Sequence, residues 1–147
     1  MTSEAASHFQ VLDGFPADVV AVAAQGFLQH EDYTEVLTPL IDRTVKAEGK
    51  VKFLYILGKD FAGVSPLAAF DDVRLGLTHL GDFARFGVVT DEGWIRMGVQ
   101  MFAPMIPCPV RTFAMDQLDQ AKEWITQDGE EKDPAAPEVA ADSTLPI

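Results

Sequence analysis

Val51-Lys52-Phe53-Leu54-Tyr55-Ile56-Leu57, then Gly58 to Ser65, a helical pattern from Pro66 to Leu80, and Phe86-Gly87-Val88-Val89-Thr90-Asp91 make up the stretch on which the fold turns. Phe53 to Leu57 is a continuous apolar run of the kind found in strands covered on both faces. Gly58 to Ser65 reads as an open glycine loop. In the helix, Leu67, Phe70, Val73, Leu77 and Leu80 recur at helical spacing and are expected to form the core stripe, with Asp71, Arg74 and Thr78 facing water. Phe86 to Val89 is a second short buried strand. A strand, loop, helix and strand in this order form a βαβ unit, which places any site at the carboxyl ends of its strands.

Upstream, His8 to Leu12 alternates like a half-buried strand, Asp13-Gly14-Phe15-Pro16 supplies a turn, and Val19 to Ala24 follows as a second strand. Glu31 to Glu48 reads as a helix through Tyr33, Val36, Leu37, Leu40, Ile41 and Val45, with Gly49 at its C′ position. Pro39 lies inside it, removes one backbone hydrogen bond and predicts a kink between Glu35 and Pro39.

Downstream, Asp91 is placed to cap a helix that starts near Glu92 and runs through Trp94, Met97, Met101, Phe102 and Met105. That helix is apolar almost all round. Pro104, Pro107 and Pro109 end it, Val110 to Phe113 is a last short strand, and Asp116 to Ile125 closes with Leu118, Ala121, Trp124 and Ile125 on one face. The order ββαβαβαβα, with right-handed crossovers, predicts an α/β fold with a mostly parallel five-stranded sheet and flanking helices. Residues 1–127 form one domain, and residues 128–147, rich in Pro, Ala and acid, are expected to be a disordered tail.

The 147 residues carry a formal net charge of −12, which repels phosphate, and the basic residues are scattered, so nucleic acid is excluded as a partner. One cysteine, Cys108, leaves no disulfide framework and no thiolate metal cluster. No leader or membrane-spanning run is visible, so the expected location is the cytoplasm.

As a set, several short stretches resemble the SpoIIAA-like proteins of the wider STAS/Sec14-like class. They are Gly26 with Glu31-Asp32-Tyr33 and Pro39, Phe53-Leu54-Tyr55, Asp60-Phe61-Ala62-Gly63, Asp72 to Leu77 with His79, Asp82-Phe83, Val88 to Asp91 with Trp94, and Val110 to Phe113 with Ala121 and Trp124. The resemblance covers roughly Phe9 to Ile125. It implies a βα superhelix fold, a cytoplasmic protein and no established enzymatic activity. Better-known relatives, the anti-sigma factor antagonists, bind a protein partner and are switched by phosphorylation of a serine at a helix start. Ser65 occupies a comparable place, but those relatives carry an Asp-Ser-Ser-Gly type motif where this chain has Val64-Ser65-Pro66-Leu67. Gln29 stands where the family tends to have a capping threonine, leaving His30 or water for that role.

Candidate chemistry is sparse. The loop from Gly58 to Ser65 has the outline of a phosphate loop, but Val64 stands where the lysine should be. A weaker anion or phosphorylation site at Ser65 and Lys59 is retained. Asp72 and His79 are two helical turns apart, about 10.5 Å along the axis, which is too far for a direct hydrogen bond. No histidine pair has metal-ligand spacing, Cys108 reads as a structural thiol, and neither a catalytic residue, a metal nor a cofactor is expected.

Three readings stay open for the stripe of Trp94, Met97, Met101, Phe102, Met105 and Ile106: ordinary core, a homodimer interface, or the wall of an apolar pocket. The leading expectation is a non-enzymatic STAS-like domain that binds a protein partner, as a homodimer. The alternative is a module for a fatty acid or other apolar ligand, lined by Phe61, Phe70, Trp94, Met97 and Met101.

Overall fold

The computed structural model describes residues 8–127; the expected acidic tail lies outside them. Five strands form the main sheet: β1 (Phe9–Val11), β2 (Val19–Ala24), β4 (Val51–Leu57), β6 (Phe83–Thr90) and β7 (Val110–Phe113), side by side in that order. β1 runs antiparallel to β2 and every other pair is parallel. All seven residues of β4 are buried, as a central strand requires. The expected five-stranded α/β architecture is thereby observed.

The segment expected as an open loop is more ordered than its glycines suggest. Phe61–Val64 is a strand, β5, which pairs in parallel with β3 (Gly26–Leu28) as a second, two-stranded sheet. Its residues are only partly buried, so the hydrophobic signal that marks β4 is weak there.

Strand order along the parallel part never reverses. Right-handed crossovers taken repeatedly in one direction put every connecting helix on the same face. That face carries α1 (His30–Asp32), a π-helical turn (Tyr33–Leu37) continuing into α2 (Thr38–Glu48), α3 (Pro66–Thr78) and α4 (Gly93–Phe102). Val20, Phe53 and Phe86 lie in register on it, as do Val22, Tyr55 and Val88. The opposite face, with Ala21, Leu54, Ile56 and Val89, is covered mainly by α5 (Leu118–Ile125) through Ala121, Trp124 and Ile125. Two buried cations brace α5 from below. Lys52 donates from its Nζ to the Gln127 carbonyl at 2.6 Å and lies 3.6 Å from Asp18, while the Arg85 guanidinium stacks 4.9 Å from the Trp124 ring. Positive charge at a helix C-terminus is favourable.

The expected irregularity before Pro39 takes the form of the π turn, in which the Thr38 amide donates to the Tyr33 carbonyl. Pro39 has no amide to give, and the wider turn absorbs the mismatch. Gly49 ends α2 with φ +81° and donates to Val45, as expected of a C-terminal glycine. At the other end Gln29, not His30, is the N-cap of α1. The Asp32 carboxylate accepts from the Gln29 amide at 2.7 Å and from the His8 amide at 2.9 Å. Burial works against this carboxylate, but the two backbone donors, joined by the His8 ring, outweigh it and hold its pKa below the ordinary value.

The orientation of α3 overturns the amphipathic reading. Ala68, Asp71 and Leu75 are buried, whereas Leu67, Phe70, Val73 and Leu77 are exposed, Leu77 by 67%. The cause is polar anchoring along one edge of the helix. Asp71 meets the His30 ring at 2.5 Å, Asp72 accepts from the Tyr33 hydroxyl at 3.2 Å, and just beyond the helix His79 meets Asp42 at 2.6 Å and Asp82 at 2.9 Å. These contacts turn the polar edge of α3 toward α1 and α2 and leave its apolar stripe outside. Asp91 is corrected as well: it accepts from the Met115 amide instead of capping α4, where Glu92 occupies the N-cap position and its amide donates to Thr90 Oγ1.

Candidate functional site

α3 and α4 stand apart on the sheet, and the space between them is an open cavity of about 390 Å³. Its floor is built where β4 and β6 run toward their carboxyl ends, from Tyr55, Leu57, Phe86 and Val88. Alternation along a strand sends Tyr55 and Leu57 to the same face, and the parallel register sets Val88 beside Tyr55. One wall is α3, through Ala69, Asp72 and Val73. The other is α4, through Trp94, Ile95, Gly98, Val99 and Phe102. Phe61 and Val64 of β5 close one end, and Tyr33 enters from the π turn.

Three polar groups meet in this largely apolar space. The hydroxyls of Tyr33 and Tyr55 lie 2.8 Å apart, and Tyr33 also donates to Asp72. A phenol has one hydrogen, so the Tyr33 oxygen accepts from Tyr55 while its own hydrogen goes to the carboxylate. Burial first, and the Asp72 charge second, push the Tyr33 phenol far above its ordinary value; the same causes act on Tyr55, so both stay protonated. Asp72 is reached by water through the mouth of the cavity and is exposed in surface terms, yet protein crowds its carboxyl on the remaining sides. That crowding pushes its pKa up to about 6, against the Tyr33 hydrogen bond, which favours the ionised form.

The structure gathers some of the expected site residues and disperses others. Phe61, Trp94 and Phe102 line the cavity. Phe70, Met97, Met101 and Met105 do not line it; they lie exposed on the outer surfaces of α3, α4 and the 3-10 turn that follows (Ala103–Met105), Met101 by 66%. The stripe is therefore divided between pocket wall and bare surface. Asp72 and His79 have separate partners, as their spacing predicts.

Ser65 is the N-cap of α3. Its Oγ accepts from the Ala68 amide at 3.0 Å, its own amide donates to Leu28, and Pro66 supplies no donor. Lys59 is exposed in the turn before β5. Burial pushes the Cys108 thiol up to about 11, although Arg85 pulls the other way. Among the described residues, no group of three His, Cys, Asp or Glu side chains is placed to hold a metal. Nor is any helix among them long and apolar enough to cross a membrane.

Tyr33 and Tyr55 are core residues, as the apolar patterns predict, and both also line the cavity, which those patterns do not show. A tyrosine in a fully buried strand is itself a signal, because its hydroxyl needs a partner inside the protein. Gly98 was the other missed marker: a Cβ added there would meet nothing within 4 Å.

Comparison with known proteins agrees with this architecture. The family described as SpoIIAA-like matches over residues 19–126. An uncharacterised protein of the DUF3478 family from Shewanella loihica PV-4, whose crystal structure has a SpoIIAA-like fold, superposes with a TM-score of 0.62 at 23% identity. The match covers 80% of this chain and 91% of that one, a likeness of fold. No curated protein matches.

Proposed function

The chain belongs to the SpoIIAA-like family, as the match over residues 19–126 shows, and from that membership and the cavity we propose a non-enzymatic STAS-like module that holds a small, largely apolar molecule between α3 and α4 in the cytoplasm. The cavity carries this reading: about 390 Å³ of mostly apolar wall on which Tyr33, Tyr55 and Asp72 converge. Small-molecule sites have this composition, in volumes of roughly 300–1,000 Å³. Ser65 and Cys108 offer no nucleophile, since Ser65 caps a helix and burial holds the Cys108 thiol protonated.

Gly98 gives a direct test. A leucine side chain there would enter the cavity from the α4 wall without striking a neighbour at its Cβ. Wild-type protein is expected to bind the uncharged dye Nile red, and gently purified protein to carry extra mass in native spectra; Gly98→Leu should lose both. Repeated clean spectra together with no dye binding would overturn the reading.

A second reading, binding of a protein partner or a second copy of the chain, is favoured by the apolar side chains left bare on the same two helices. Trp94, Met97 and Met101 on α4 and Leu67, Phe70 and Leu77 on α3 are all exposed. Isolated apolar residues are common on surfaces, but a grouping of this kind marks interaction sites.

A further inference from the structure

The aromatic and charged content of the cavity narrows the ligand's chemistry, given the reading that it holds one. Tyr33, Tyr55, Phe61, Phe86, Trp94 and Phe102 bring six aromatic side chains to it from five elements, and Asp72 is the one charged residue among its described lining residues. Lysine, arginine and histidine are absent from that lining.

Hydrogen-bond direction adds to this. The Tyr55 hydrogen goes to Tyr33 and the Tyr33 hydrogen goes to Asp72, so both phenolic hydrogens are used within the protein. What this polar cluster leaves for a ligand is acceptor capacity, chiefly the second Asp72 carboxylate oxygen, because Tyr33 is 1% and Tyr55 7% exposed. A carboxylate or phosphate head would meet a like charge in Asp72, with the Trp94 indole N–H as the lining's remaining side-chain donor. An ammonium would meet an opposite charge in a partly desolvated site, surrounded by rings whose π faces attract cations.

We infer that the pocket selects an organic cation, an ammonium bearing apolar substituents, with Asp72 as its counter-ion and the aromatic residues as its surround. The fatty acid considered from sequence is the wrong charge for this site. A compact alkylammonium satisfies both the apolar walls and the single carboxylate.

Three ligands with the same chain and different heads test the inference: decyltrimethylammonium, 1-decanol and decanoate, each titrated below its micelle-forming concentration into the full chain. Trp94 emission is the readout, with Trp94→Phe as the control that isolates it from Trp124. The cation should bind at least about tenfold more tightly than either of the others, a difference within reach of a cation–aromatic site with a counter-ion. Asp72→Asn should remove the preference, bringing the cation's affinity level with that of decanol for the same variant, while Asp72→Glu, which keeps the charge, should retain it. Decanoate or decanol binding as tightly as the cation, or a preference that survives Asp72→Asn, overturns the inference and leaves the ligand-binding reading standing. If none of the three alters the emission or the native mass, both fall.

Discussion

The hydroxyls of Tyr33 and Tyr55 meet at 2.8 Å across the cavity floor, joining a π-helical turn to the central strand of the sheet. Neither phenol is isolated, because Tyr33 passes its own hydrogen to Asp72 on α3. Three elements distant in sequence are thus linked at one polar point inside an apolar cavity.

Tyr33→Phe should destabilise the fold more than Tyr55→Phe, since it breaks two hydrogen bonds and Tyr55→Phe breaks one. With roughly 1 kcal/mol for each bond, about 2 against about 1 kcal/mol is expected in urea unfolding. Equal losses would mean that the Tyr33 to Asp72 bond contributes nothing.

His79 should make stability fall as pH rises above neutrality. Its two ring nitrogens lie 2.6 Å from Asp42 and 2.9 Å from Asp82, an arrangement that requires both to donate and hence an imidazolium. Burial is the largest single influence and lowers its pKa, but the two carboxylates together overcome it, and the folded value lies above 6.5. Stability from a raised histidine is fully present below 6.5 and is lost as pH climbs through the folded pKa. The gap between wild type and His79→Gln, measured by urea unfolding, should therefore be wide at pH 6 and narrow by pH 9. A gap that widens with pH would contradict the imidazolium assignment.

Asp72 acts with the opposite sign from a carboxylate held low. The folded protein keeps its proton up to about pH 6, whereas the unfolded chain releases it near 3.8. The native state binds more protons in that window, so stability declines as pH rises from about 3.8 to about 6 and levels off above it. Tyr33 and Tyr55, which face the carboxyl, remain protonated throughout. Asp72→Asn should flatten the decline; unfolding curves for the two proteins that stay parallel from pH 4 to 7 would refute the shift.

Glycine substitutions should separate open positions from filled ones. Gly76 lies within α3 and a Cβ there would meet nothing within 4 Å, so Gly76→Ala should stabilise by up to about 1 kcal/mol through helix propensity. At Gly87, in β6, a Cβ would come within 3.1 Å of Leu54 and 3.2 Å of Trp124, and Gly87→Ala should cost about 1–3 kcal/mol by overpacking. Thermal unfolding of both variants checks the pair.

Met101→Asp addresses the bare apolar surface. Met101 is exposed and does not line the cavity, so the substitution should leave folding and dye binding unchanged. If the outer face of α4 mediates self-association, light scattering will show a dimeric mass for wild type and half that mass for the variant. An unchanged mass removes α4 from any such interface.

The central strand, the last strand and the closing helix were legible because Phe53 to Leu57, Val110 to Phe113 and the Ala121, Trp124, Ile125 face follow simple burial patterns. The rotation of α3 was not. Periodicity finds an apolar stripe, but which edge of the helix turns inward was decided here by His30 with Asp71 and Tyr33 with Asp72, pairs that are 41 and 39 residues apart. Of the candidate cavity's lining, Phe61, Trp94 and Phe102 were legible as apolar residues, whereas its polar part joins residues 33 and 55, a pairing that no sequence spacing shows.

Because strand order never reverses, the described residues form a cavity side and a supporting side that share only the sheet. Cavity residues come from positions 33–106, while α5, which covers the other face, begins at Leu118. Substitutions in the cavity and substitutions around Trp124 should then combine additively, as changes with no shared partner do. The face that holds the cavity can therefore be altered without touching the brace that Lys52, Arg85 and Trp124 form on the other face.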